Sequence, residues 1–374
     1  MKKVSYLTAV TFVILTLAGC LRNNPVVVET IDISINKSVA SINLLDFETI
    51  SKPRIIPLQT KDCLIGEITS LKVYDDAILI VDEMSESVLV FDINGSLKVK
   101  INRCGRAEQE YLSIADAEIY NNQIVVYDYI SQRLLCYDIS SGEYISTLRT
   151  KAIWADKMFN IDNTLFFVNN KSTAEMGNYC LYAMANLGEF TPYIPFYNEY
   201  GWTLDNYSTT ADDIALLHFP PYDTIYMASA LENPQVKYFV NFGKDKIDMS
   251  ILEADPYDAI KYAAKSTQTL GIDKVAILGK HIVISFSNNE RNYHAVYNTT
   301  SHNVEDVASK LFIGDIQLNH NWRTQNDKLF YHMSALDFVR TYEAFDSYPS
   351  FQQVAQNINE LDNPVIVLFN VKEK

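Results

Sequence analysis

The sequence predicts an all-β chain folded as a six-bladed β-propeller, its N-terminal strand closing the last blade and with short helical insertions. Three observations predict it. A short polar turn followed by an apolar run recurs six times, marked by Asp76, Asn122, Asn163, Asp213, Lys280 and Asp327, at steps of 46, 41, 50, 67 and 47 residues. Tyr (24) and Phe (18), both strand formers, are abundant. Finally, the chain closes on a strand, "NPVIVLFNVK", that lacks a following partner, while an early strand, "RIIPLQTK", lacks a preceding one.

The front of the chain reads as an address. Lys2 and Lys3 precede an apolar stretch, Val4 to Leu17, shorter than the roughly 18–20 residues that span a bilayer. "LAGC" follows, ending at Cys20. Small residues before a cysteine suit a peptidase groove and leave a thiol to accept lipid, so residues 1–20 are predicted to be a lipoprotein signal peptide and Cys20 the lipid attachment site. Residues 21–50 are expected to be a tether with a leading strand, and 51–374 the propeller.

Each repeat obeys the same physics. Asx and Gly residues tolerate the positive φ of tight hairpins. The second strands follow as "DDAILIVD", "NNQIVVYD", "DNTLFFVN", "DDIALLHF", "GKHIVISF" and "NDKLFYHM". Continuous apolar runs fit strands buried on both faces. Third strands follow, "SVLVFD" and "RLLCYD" being the closest matches, and Gly95 and Gly142 turn the chain into the next strand. "EITSLKVY", "SIADAEIY" and "WADKMFNI" supply first strands. Units of this length with several strands each signify a propeller. "RIIPLQTK" is assigned to the outer position of the sixth blade, hiding an edge. "SILEADPYDAIKYAAKS" and "PSFQQVAQNINELD" have helical character.

These features resemble the six-bladed β-propeller lipoproteins of Bacteroidota, related in shape to NHL-repeat propellers. The lipobox, "IIPLQT" with "LIGEI", "VLVFDINGSL", "FVNFGK" and "DNPVIVLFNVK" carry the resemblance, which covers essentially the whole chain after Cys20. It implies the fold and an envelope address, and no established reaction. Relatives end their first blade in a loop resembling G-x-G-P-G-E-Y; here "RCGRAEQEY" keeps Gly105, Glu110 and Tyr111 and loses the other Gly and Pro positions. Sorting rules of such lipoproteins, applied to Leu21 and to "CLRNN", imply the outer membrane and its periplasmic side.

The net charge of −15, or −17 without the leader, repels phosphate backbones and argues against nucleic-acid binding. Cys63, Cys104, Cys136 and Cys180 have no zinc spacing; two disulfides are conceivable in an exported chain, but Cys136 and Cys180 read as buried thiols on strands. "DINGS" lacks the rest of a calcium loop and reads as a hairpin turn. No GxSxG occurs. His218, His281 and His332 fall at or beside second strands, and Asp116 and Asp156 near the openings of first strands; their convergence at one channel mouth would support a metal site. No cofactor or metal is expected.

Two stretches are candidate ligand sites. "FTPYIPFYNEYGWTLDNY" concentrates aromatics, with Tyr197, Tyr200 and Trp202 the strongest candidates, because such rings cover sugar faces and anchor protein contacts. In "RCGRAEQEY", Arg103 and Arg106 are cations on an acidic chain, beside Glu110 and Tyr111. The expected function is a non-enzymatic binding or scaffold module for a glycan or protein partner, membrane-attached by lipid and monomeric. The alternative is a metal-dependent propeller hydrolase or lyase with its site at the axial mouth.

Overall fold

The structure, a computed structural model, describes residues 28–371 apart from 48–49, 151–152, 170–178, 196–206, 211–212, 220–221, 230–231, 249, 252–260, 263–264, 319–320 and 342–347. It is an all-β propeller with few helices. The first sheet holds Ile68–Val73, Ala77–Asp82, Ser87–Asp92 and Leu97–Ile101 in sequence order, each antiparallel to the last. The second repeats this with Asp116–Tyr120, Gln123–Asp128, Arg133–Asp138 and Tyr144–Arg149. The third, fourth and fifth begin at Lys157–Ile161, Tyr207–Thr209 and Ile272–Leu278. The sixth runs Arg323–Gln325, Lys328–Met333, Val365–Asn370 and then Arg54–Pro57, so the terminal regions share one sheet.

The count of sheets corrects the expected six blades: seven are present among the described residues. The seventh is a three-stranded sheet of Ile42–Asn43, Leu311–Ile313 and Ile316–Gln317. Its strands are two or three residues long, too short to show a period in sequence. Its edge strand comes from the far N-terminal region and pairs in parallel with Leu311 and Phe312, which no local pattern can announce. It packs into the apolar cluster shared by the fifth and sixth sheets, with Ile42, Leu311, Ile313 and Trp322 all buried.

The segment expected to hold a tether and a leading strand is packed from Glu29 onward. Glu29–Asp32 adds a parallel fifth strand to the fourth sheet, Val39 bridges Ala308 of the fifth, and Ile50 bridges Val371 beside the sixth. Ile31, Ile33 and Leu44 are buried along this belt. The glutamate of Glu29 accepts from His302 at 2.7 Å, fastening the belt to a turn of the fifth sheet.

The turns have the chemistry the repeats call for. Asn121 and Asn122 sit at φ 49° and 57°, and Asn326 and Asp327 at 50° and 55°. Asp92 accepts from the amides of Asn94 and Ser96, and Asp138 from those of Ser140 and Ser141. Two further aspartates end second strands. Asp82 accepts from the amides of Gly66 and Glu67, and Asp128 from that of Leu112, each tying the loop that leads into its own sheet.

Gly95 joins this turn chemistry to ring closure. It has φ +87°, and a Cβ there would lie 2.1 Å from the Pro57 carbonyl of the closing strand. Its own carbonyl accepts from the Gln59 amide at 2.8 Å. Gly95→Ala is therefore expected to cost about 1–2 kcal/mol for the backbone conformation alone, and more from the collision. Chemical denaturation checks this; a change within ~0.5 kcal/mol would refute the tight approach.

Among the helices, Pro349–Ala355 lies within "PSFQQVAQNINELD", while Ala335–Thr341 has no counterpart in the sequence reading. Most of "SILEADPYDAIKYAAKS" lies outside the described residues. All four described cysteines are free; Cys63, Cys136 and Cys180 are buried and Cys104 is exposed. Burial pushes the Cys180 thiol up to about 12. In native protein only Cys104, of these four, is expected to react with a thiol reagent, and all four after denaturation; a second fast-reacting native thiol would contradict this packing.

Candidate functional site: the axial polar cluster

The first strands of the sheets line the axis, and alternation sets their residues on two faces. Ser70, Lys72 and Tyr74 share one face of the first sheet's strand, and Asp116 and Glu118 one face of the second's. Lys72 is 2% exposed. Its ammonium lies 2.9 Å from Asp116 Oδ2 and 2.9 Å from Glu118 Oε2. It also donates to the carbonyls of Ala117 at 2.6 Å and Met158 at 2.8 Å. Three N–H donors thus serve four acceptors from two neighbouring sheets.

The carboxylates are held from their other sides too. Asp116 accepts from the Met158 amide at 2.7 Å, and Glu118 from the Tyr74 hydroxyl at 2.6 Å. Burial works against the charged form of every member. At Lys72 the two carboxylates overcome it, and the ammonium is held above its ordinary range. At Asp116 burial is again outweighed, by Lys72 and Lys157, and the carboxyl is held low. At Glu118 burial wins and the carboxyl is raised.

Further side-chain contacts link the sheets around the axis. Lys157 of the third sheet donates to the Thr69 carbonyl of the first at 2.9 Å, and Tyr207 of the fourth to the Met158 carbonyl at 3.1 Å. Ser208 of the fourth and Thr324 of the sixth are bonded hydroxyl to hydroxyl at 2.6 Å. The axis is therefore filled by side chains. A small cavity remains among Ser70, Lys157, Tyr207, Lys274, Arg323 and Gln325, with about 20 Å³ open to the centre of a water molecule, room for about one water.

The residues anticipated from sequence divide differently. Tyr111 is fully buried; its one hydroxyl proton is shared between the carbonyls of Glu86 and Ile101, and its oxygen accepts from the Arg103 amide. It pins the loop and presents nothing to a ligand. Glu110 is half-buried and folds back on the Ala107 amide at 2.9 Å; a Cβ at Gly105 would sit 2.0 Å from its carboxylate. Arg103 is half-buried and Arg106 exposed. This loop connects the outer strand of the first sheet to the second sheet and contributes nothing to the axial cluster. Tyr197, Tyr200 and Trp202 lie outside the described residues, as does Cys20. Within the same aromatic run, Phe190 packs edge-on against Phe167 and Tyr207 stacks on Phe159.

Nor do the histidines converge. His218 is the last residue of its second strand, His332 the last but one, and His281 the first. Second strands all run in the same sense, so His281 lies at the opposite end of the ring. It faces Glu305 at 3.2 Å and the Phe47 ring. Among the described residues no three His, Cys, Asp or Glu side chains are grouped to hold a metal ion.

Lys72, Tyr74, Glu118, Lys157, Lys274 and Arg323 were not anticipated. The legible signal is charge inside first strands that are otherwise apolar: "SLKVY" places Lys72, and "DAEIY" places Asp116 and Glu118, on the face that looks to the axis.

Comparison with known families identifies the chain. The profile described as Domain of unknown function (DUF4934) matches residues 28–370. The chain belongs to the DUF4934 family. No protein of curated function matches it. Among solved structures, this DUF4934 chain is similar to a protein from Bacteroides fragilis NCTC 9343 described as exported, with 14% identity over 93% of this chain and 100% of that one, and a TM-score of 0.71. A DUF4221 member from Bacteroides vulgatus ATCC 8482 is more distant, with 11% identity, 87% and 98% coverage and a TM-score of 0.48. The first likeness supports the propeller fold found for this DUF4934 chain.

Proposed function

We propose that the chain is a lipid-anchored recognition propeller of the bacterial cell envelope. It acts as a binding or scaffold module for a glycan or protein partner, with no catalysis of its own. One observation carries the non-catalytic reading: Asp116, an axial carboxylate of the kind a propeller hydrolase would use, is closed together with Glu118 onto the internal ammonium of Lys72. A carboxylate already sharing a buried cation is not available to a metal or a substrate proton. The leader ending in "LAGC" supports anchoring through Cys20, on the periplasmic side of the outer membrane, and the description of the B. fragilis relative as exported accords with it. The surface for a partner is then made by the loops at the rims, Arg103 and Arg106 among them, with Tyr197, Tyr200 and Trp202 as aromatic candidates.

Two measurements test this. Radiolabelled palmitate in the native host should label the chain, and Cys20→Ser should abolish both label and membrane fractionation. Cross-linking followed by affinity capture from envelope fractions should return a discrete partner. A chain that stays unlabelled and cytoplasmic would overturn the envelope reading, and turnover of a glycan by the purified chain would overturn the non-catalytic one.

A further inference from the structure

We propose that one end of the propeller carries a docking face for a protein partner, centred on Leu64, Met84 and Leu361, and that the partner segment it takes is apolar and basic. The proposal rests on the recognition role above and deepens it, choosing a protein over a glycan and stating the partner's chemistry.

Register fixes which loops share an end of the ring. Ile68 pairs with Asp82 in the first sheet, and Pro57 and Met333 both pair with Val365 in the sixth. Loop 58–67, turn 83–86 and link 334–364 therefore emerge at one end. Hydrogen bonds join them. Asn363 accepts from the Ile65 amide at 2.9 Å and donates to the Cys63 carbonyl at 2.5 Å, which sets Leu64 beside the segment that carries Leu361. The Glu83 amide donates to the Glu67 carbonyl at 2.9 Å, and a Cβ at Gly66 would lie 2.6 Å from Met84 Cβ, so Met84 sits against the same loop. Leu64 is 67% exposed, Met84 75% and Leu361 90%. One apolar side chain exposed alone is ordinary; several on adjoining loops mark a contact surface. Ile130 repeats the position of Met84 in the second sheet, two residues after the aspartate that ends the second strand, and it too is exposed.

Composition selects a protein. None of the three central side chains is aromatic, so they offer no ring to stack on a sugar face, whereas Met and Leu mould to the apolar side chains of a partner. Charge selects the partner's sign. Exposed glutamates adjoin the patch: Glu83 and Glu86 around Met84, Glu67 after Gly66 and Glu360 before Leu361. Among the described residues no lysine or arginine pairs with Glu67, Glu83 or Glu360. Together with the neighbouring loop 102–115, which enters the second sheet at this same end, these loops expose seven carboxylates against three cations, Lys61, Arg106 and Arg340. A segment that covers the apolar centre thus meets an acidic border, which lysine or arginine complements. The same border, on a chain of net charge −15, opposes a second copy of itself and an anionic membrane.

The test uses the purified full chain and a fluorescent synthetic helix of leucine and lysine, apolar on one face and basic on the other. A leucine–glutamate helix, a serine–lysine peptide and phosphatidylcholine vesicles serve as comparison probes. Anisotropy at about 0.15 M salt should show saturable binding of the leucine–lysine helix with a Kd on the order of 10 µM. Met84→Ser combined with Leu361→Ser should weaken it about tenfold. Ile145→Ser, on the outer strand of the second sheet, should leave it unchanged. The serine–lysine and leucine–glutamate peptides should each bind at least about tenfold more weakly. Equal binding of the leucine–glutamate helix, or a folded double variant that binds like the wild type, would overturn the proposal. Vesicle binding that the double variant abolishes would also overturn it, in favour of a membrane. Should the double variant fail to fold, hydrogen exchange on the wild type decides: protection by the helix around residues 64, 84 and 361 supports the face, and protection confined elsewhere refutes it. A discrete envelope partner captured equally by wild type and double variant would leave the recognition role standing and sink this face alone.

Discussion

Lys72→Met should lower the unfolding free energy at pH 7.5 by about 3–5 kcal/mol, because it strands Asp116 and Glu118 as buried carboxylates without their cation. The methionine keeps most of the apolar stem, so the loss reports the charge. The pH dependence gives an independent check. In the wild type Asp116 is held low, so its contribution is present above the ordinary carboxylate range and is lost as pH falls through its folded value. Lys72 is raised, and its contribution is present below the ordinary lysine range and lost only as pH rises above it. Glu118, raised by burial, acts in the opposite sense to Asp116: its share of stability falls as pH rises past the ordinary glutamate range. In Lys72→Met both carboxyls are raised, so the folded state binds more protons than the unfolded one and the variant recovers stability on acidification. The gap to wild type should therefore narrow from pH 7.5 towards pH 5, and adding Asp116→Asn and Glu118→Gln should restore much of it at pH 7.5. A loss below ~1 kcal/mol, the size of a surface pair, would show that the cluster is wetter than its burial implies.

Ile56→Asp should be at least as damaging. Ile56 is 1% exposed in the short strand that closes the sixth sheet, packed in one cluster with Leu71, Ile80, Phe330 and Leu368. An unpaired carboxylate there is expected to cost more than about 4 kcal/mol, whereas Ile56→Val should cost about 0.5–1.5 kcal/mol. The closing strand ties residues 54–57 to 365–368. Its loss should therefore expose the first and sixth sheets together, and limited proteolysis should cut both. Cleavage confined to residues 54–57, with an unchanged unfolding midpoint, would show that closure is decorative.

Much of this architecture was legible because it repeats. Each second strand is a run of apolar residues after an Asx or Gly turn, and each of the six begins within a residue or two of its sequence mark. The closing strand was legible because "RIIPLQTK" had no partner of its own. What escaped was non-local. The seventh sheet is made of strands too short for a period, and the belt from Glu29 to Ile50 is fixed by contacts with residues 238–241, 308, 311–312 and 371. The candidate site was harder still. Tyr111 looks in sequence like an aromatic at the mouth of a loop, but three hydrogen bonds to its hydroxyl bury it as a pin. Asp116 reads in sequence as a possible metal ligand, but its partner Lys72 does not stand out, because a single lysine in "SLKVY" reads as a solvated face until the ring places that face on the axis.

The central claim is that the axial carboxylates belong to an internal ion-pair cluster and not to a catalytic metal site. Elemental analysis of the full chain, purified without chelator, tests it most directly. The account expects substoichiometric calcium and zinc, unchanged by Asp116→Asn. One calcium or zinc per chain, lost in Asp116→Asn, would contradict it and move the protein to the metal-dependent hydrolases.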